Sequence, residues 1–218
     1  MKKLLLRLAM KKAKKQLINA YSEAWYDTFA ALSMKHFDDI LPKMPDIGTS
    51  IFASSYKTLP AYIAWYKALA DMGTQGGEID RIIWMISERT MQILPKSILK
   101  LVGKGYIKGF RTKAAEHIRR QNTTGVHPYD WLIDFRDIDE NCFEIDIKRC
   151  PYVMLSKELG AEGLLPGVCR GDYLSAHLMG NGFERTKTLG DGDDCCNCRY
   201  YVKGDCDWSP DKGFENRK

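Results

Sequence analysis

The chain has 218 residues, 44% of them hydrophobic and 28% charged, a balance that excludes a disordered chain and leaves room for a full hydrophobic core. Its net charge of +5 is concentrated at the start. Lys2, Lys3, Arg7, Lys11, Lys12, Lys14 and Lys15 have no acid among the first twenty residues, so the body is slightly acidic and carries no broad nucleic-acid footprint.

The opening MKKLLLRLAMKKAKKQL is broken at Arg7 and lacks a small-residue cleavage pattern. Nor does any window approach the roughly 20 apolar residues of a bilayer span. A cytoplasmic protein without stable membrane insertion is expected. Leu6, Met10, Ala13 and Leu17 share helical spacing, which suits residues 1–20 either to docking on their own domain or to lying on a membrane surface; docking is the preferred reading.

Residues 15–38 carry Leu17, Ile18, Tyr21, Trp25, Phe29 and Leu32 at spacings of three or four, and LPKMPDIGTS at 41–50 supplies the breakers. A second apolar pattern runs through SSYKTLPAYIAWYKALADM to the glycines near 73–77, and a third, EIDRIIWMISERTMQIL, stops at Pro95. Along 96–120, Lys96, Lys100, Lys104 and Lys108 align on one helix face while Ile98, Leu101, Val102 and Phe110 are expected to serve another; Gly103, Gly105 and Gly109 weaken the helix.

After QNTTGVHP the period changes. WLIDFRDI at 131–138 and CFEIDIKRC at 142–150 alternate as strands, two short helices follow, and GFERTKTL and NCRYYVKG are expected as further strands. The fold class is therefore α+β: an N-terminal helical layer followed by a mainly antiparallel sheet with short helices. The divisions expected are a basic amphipathic arm over 1–20, a helical region over 21–125, an α+β region carrying the site over 126–205, and a frayed tail over 206–218.

Seven cysteines, at 142, 150, 169, 195, 196, 198 and 206, are odd in number and accompany no export signal, which argues against a complete disulfide framework. In an extended strand Cys196 and Cys198 face one side, with Asn197 on the other and Cys195 turned away from the pair, so LGDGDDCCNCRYY is not a self-contained zinc knuckle. A zinc site drawn from Cys150, Cys169 and Cys196, completed by Asp172 or His177, is the metal alternative to cysteines packed as small hydrophobes. Cys169 and Asp172 stand three apart, so a helix places them on neighbouring surface. A thiol beside a general base suits nucleophilic attack, and a carboxylate can steer water or hold an amine. Arg185 has the fork geometry to clamp a carboxylate. His36, His117 and His127 read as ordinary surface histidines. DIDEN at 137–141 fails as a calcium loop because Cys142 and Lys148 occupy the required glycine and acid positions.

Taken in order, Phe143 through Cys150, Cys169 with Asp172, Arg185-Thr186, Thr188-Leu189, Gly192 and Cys196-Asn197-Cys198 resemble the L-2-amino-thiazoline-4-carboxylic acid hydrolase family over about 143–201. Asn197 and Cys198 stand where the family usually has an acidic residue and phenylalanine. The resemblance implies hydrolysis of a small cyclic amidine-like amino acid to an N-carbamoyl cysteine. Cys169 would act as nucleophile or metal ligand and Asp172 as base or orienting group, with Cys150, Arg185, Thr188 and Cys196 binding the substrate. The partner implied is a small molecule, with no nucleic acid; an oligomer is compatible. The alternative is a non-catalytic small-ligand or metal-binding sensor domain.

Overall fold

Ser22 splits the first long apolar pattern in two. In the computed structural model, which describes residues 3–92, 94–209 and 212, its backbone is extended and its side chain accepts a hydrogen bond from the Trp25 amide at 3.1 Å, capping a new helix. The segment expected as one helix over 15–38 is therefore the end of α1 (Lys3–Ala20) and most of α2 (Glu23–Ile40).

The stripe Leu6, Met10, Ala13 and Leu17 of α1 is buried at 0 to 2% exposure, so this arm docks on its own domain. Its partners are α2 and α5 (Gly76–Met91), whose Ile79, Ile82, Ile83 and Ile86 are buried at the same helical period. Between them lie the one-turn α3 (Ala53–Tyr56) and α4 (Leu59–Asp71), which opens on Pro60, a residue already set for a first helical turn, and is buried nearly all round against α2.

α6 (Lys96–Thr123) continues through all three glycines. Its buried face is Leu99, Gly103, Ile107, Phe110, Ala114 and His117, while Ile98, Leu101 and Val102 point to solvent; of the four apolar residues expected inward, only Phe110 is. Gly103 explains why that register wins. A Cβ there would sit 2.3 Å from the Met179 carbonyl oxygen, so the glycine admits α9 (Gly171–Met179) against α6. His117 differs from the surface reading: it is fully buried, its Nε2 donates to the Trp131 carbonyl at 3.0 Å and its Nδ1 accepts from the Ile51 amide. Gln121 adds a two-way pairing with the Ile133 backbone, fastening α6 to the sheet.

Four antiparallel strands follow, β1 (Leu132–Asp137), β2 (Cys142–Arg149), β3 (Gly182–Glu184) and β4 (Cys196–Tyr201), in the order β1-β2-β4-β3. The third is shorter than expected, because the chain leaves the sheet at Arg185. Alternation sorts the faces: Ile133, Phe143, Ile145, Cys196 and Cys198 are buried against helices, while Arg136, Glu144, Asp146 and Arg199 form an ion-pair network outside. α7 (Pro151–Glu158), α8 (Leu165–Cys169) and α9 fill the excursion between β2 and β3. Past 205, Cys206 is buried and Trp208 lies 5.4 Å from Trp84, so packing continues into the segment expected to fray; 210–211 and 213–218 lie outside the described residues. Among the described residues no helix is long and apolar enough to cross a membrane.

Candidate active site

The junction of α8 and α9 sets the first part of the site. Arg170 joins them in helical backbone, which puts Asp172 in the first turn of α9, where the free amides favour negative charge. Immediately after β3, Arg185 turns back toward it. The guanidinium donates to Asp172 Oδ2 at 2.8 Å and to the Cys169 carbonyl at 2.9 Å, lies over the Tyr173 ring at 5.0 Å, and is 6% exposed. Arg185 is thus engaged within the fold, tying the end of α8 to the carboxylate of α9.

Asp172 itself is open, with 54% of its side chain accessible. That surface faces a cleft between the helical layer and the sheet, walled by Phe52, Ser55, Tyr106 and Phe110 on one side and by Ser175, Phe183 and Tyr200 on the other. Asp172 is the carboxylate among the cleft residues. Enclosure by protein raises its carboxyl above the ordinary value, and Arg185 offsets this only in part. The hydroxyls of Tyr62, Tyr152 and Tyr200 are held protonated chiefly by burial, with the Asp172 charge adding to the effect.

The thiols gather beside this group. Cys169 Sγ lies so close to the Gly190 backbone that a Cβ there would be 2.9 Å from it. Thr188 caps a short turn over Leu189–Asp191, and its Oγ1 is 3.5 Å from Cys196 Sγ, which also accepts from the Leu189 amide at 3.2 Å. Burial, with a smaller contribution from Cys196, pushes the Cys150 and Cys169 thiols up to about 12. Cys198, opposite Ile145 on the same sheet face, is pushed up as well, also by burial. Cys195 is raised chiefly by burial too, but the charges it feels are those of Asp194, Lys148 and Asp146, consistent with its facing away from Cys196. All seven cysteines are free thiols.

Of the residues singled out in the sequence, Cys150, Cys169, Thr188 and Cys196 therefore share one neighbourhood, and Arg185 links it to Asp172. His177 packs its ring 6.4 Å from that of Trp208. Among the described residues no three His, Cys, Asp or Glu side chains converge as a metal site: Asp172 is paired with Arg185 and Cys196 is held by the Leu189 amide.

A comparison with family models matches residues 55–200 to the model described as L-2-amino-thiazoline-4-carboxylic acid hydrolase. The chain belongs to the L-2-amino-thiazoline-4-carboxylic acid hydrolase family. A search of curated proteins finds no match. The match takes in much more than the C-terminal motifs: α4, α5 and α6 lie within it, so this family's region includes the helical wall of the cleft.

Membership gives the departure at Asn197 a clear physical test. Its Oδ1 accepts from the amides of Thr186 at 3.0 Å and Lys187 at 2.7 Å, and its Nδ2 donates to Thr186 Oγ1 at 2.8 Å. The residue pins the chain just after Arg185, and a carboxylate at the same place would accept both amide bonds equally well. Sequence reasoning missed Tyr106, Phe110, Ser175 and Tyr200. Tyr200 had a usable signal, since it shares strand parity with Cys196 and Cys198. The helix residues had none, because nothing local says that α6 faces β4.

Proposed function

We propose that the protein hydrolyses a small cyclic amidine-like amino acid of the L-2-amino-thiazoline-4-carboxylate type, with Asp172 as general base. The observation that carries this reading is a carboxylate fixed by Arg185, raised in pKa and open to an aromatic-walled cleft. A carboxylate whose pKa is raised is a stronger base once ionised. Asp172 takes a proton from water as the oxygen bonds to the ring carbon between nitrogen and sulfur. The carbon–nitrogen π pair moves to the ring nitrogen as the adduct forms. On collapse the hydroxyl proton passes to that nitrogen, the carbonyl forms as the carbon–sulfur bond breaks, and the departing sulfur receives the proton held by Asp172, leaving an N-carbamoyl cysteine.

In this scheme Arg185 is a positioning residue, and Cys150, Cys169 and Cys196 with Thr188 form a neutral cluster beside it. The high thiol pKa values favour water over a Cys169 thiolate as the attacking group. Any zinc held by Cys150, Cys169, Asp172 and Cys196 would lower those thiols, so metal content is measured on the same preparation.

The test uses the thiol that the reaction creates. Purified protein incubated with L-2-amino-thiazoline-4-carboxylate is expected to release one thiol per N-carbamoyl cysteine found by mass spectrometry. Absence of turnover with clean, folded protein overturns the assignment. Saturable binding without turnover would move the chain to the ligand-sensor reading.

A further inference from the structure

The solvent side of α6 is not wholly polar. Ile98, Leu101 and Val102 keep 45, 82 and 48% of their surface exposed, and Leu94 and Tyr106 keep 46 and 54%. Gly105 and Gly109 follow at spacings of three and four, and a Cβ at either would meet open space. These residues make a continuous apolar strip along the helix.

Beside the strip run Lys96, Lys100, Lys104 and Lys108, all exposed. No acid occurs between Lys96 and Ala115, and among the described residues none of these lysines is in an ion pair. Exposed aliphatic side chains flanked by uncompensated lysines fit an interface that is apolar below and anionic above, with the lysine stems reaching along the apolar layer to place their charges at the headgroups.

We propose that this face of α6 docks on an anionic lipid surface. Charge selects the occupant. A second copy of the chain would bring lysines against lysines, whereas an anionic lipid interface takes the lysine row as it stands and requires no complementary shape. Tyr106 belongs both to the strip and to the cleft wall, so docking would set the cleft mouth at the lipid boundary.

The experiment is co-sedimentation of the full chain with vesicles of phosphatidylcholine alone and of equimolar phosphatidylcholine and phosphatidylglycerol. Binding is expected to the mixed vesicles only and to fall as salt is raised. Leu101→Asp and the double substitution Lys100→Glu/Lys104→Glu are each expected to weaken it at least about ten-fold. Lys11→Gln/Lys12→Gln in α1 should leave it within about two-fold. Circular dichroism and melting confirm that the variants are folded. No binding to mixed vesicles, or binding that follows α1 rather than α6, overturns the proposal. So does a dimer in light scattering that Leu101→Asp abolishes, which would assign the strip to a second copy.

Discussion

Arg185 and Asp172 meet at 2.8 Å across the gap between a strand end and a helix start, with the arginine buried and the aspartate open. The asymmetry matters. The arginine fixes the carboxylate through one oxygen and leaves the rest of it facing the cleft. Arg185→Lys should keep the charge but lose the two-point hold on Asp172 and on the Cys169 carbonyl. We expect kcat to fall about ten- to a hundred-fold with a smaller change in KM. Steady-state kinetics beside a melting curve measures this, and a change confined to KM would mean that Arg185 touches substrate.

The pH dependence follows from the same pair. Asp172 must be ionised to act, and its carboxyl lies above the ordinary 3.8, raised by the hydration lost on the side packed against protein and lowered in part by Arg185. The acid limb of the kcat profile should accordingly lie higher than an unshifted aspartate would give, and in Arg185→Gln it should move further up. For stability the sign is set by the raised value: the folded state holds its proton at higher pH than the unfolded state. This group's contribution is therefore present below 3.8 and lost as pH rises through the folded value. Asp172→Asn should remove that part of the loss. A limb that stays in place in Arg185→Gln would mean that another group limits the rate.

The thiols make a separate prediction. A cysteine raised to about 12 is roughly one part in 100,000 thiolate at pH 7. Alkylation of Cys150 and Cys169 in the folded, metal-free protein should be slower than that of a free cysteine by about two orders of magnitude or more. Urea should expose all seven. Rapid labelling of Cys169 in the native state, mapped by peptide mass, would restore it as a nucleophile.

Two glycines of α6 should respond with opposite signs. Gly103→Ala drives a Cβ into the Met179 carbonyl and should cost about 1–3 kcal/mol, shifting the helix that carries Asp172 and lowering turnover. Gly105→Ala meets only open space and should stabilise by about 0.5–1 kcal/mol. Thermal melting of both variants, with activity alongside, decides between them.

Asn197 separates pinning from chemistry. Asn197→Asp keeps both amide bonds, and Thr186 can turn its hydroxyl to donate, so folding and turnover should change little. Asn197→Ala strands two amides, at a cost of about 1–3 kcal/mol, and loosens the chain beside Arg185. Equal losses in both variants would contradict the pinning role.

Much of this architecture was legible from local pattern. Period-two alternation in CFEIDIKRC and the shared parity of Cys196 and Cys198 fixed which residues face inward, and the stripe from Leu6 to Leu17 indicated a docked arm. What was hidden depends on distant chain. In α6 the exposed Ile98, Leu101 and Val102 look like core residues, and only the approach of Met179 to Gly103 shows that the opposite face is buried. His117 gave no local sign of burial because its partners, Ile51 and Trp131, lie in other segments. Arg185 was visible as a candidate, but not its engagement with Asp172, since that requires β3 to end at Glu184. The cleft was invisible for the same reason, its two walls lying far apart in sequence.

The most direct test of the central claim is the turnover of L-2-amino-thiazoline-4-carboxylate by Asp172→Asn, measured against the unaltered protein at neutral pH. The amide oxygen of asparagine can still accept from Arg185, and circular dichroism and melting confirm that the variant is folded. We predict a loss of at least about a hundred-fold in kcat, as expected for removal of a general base. Turnover within about two-fold of the unaltered protein, by a folded variant, would contradict the account.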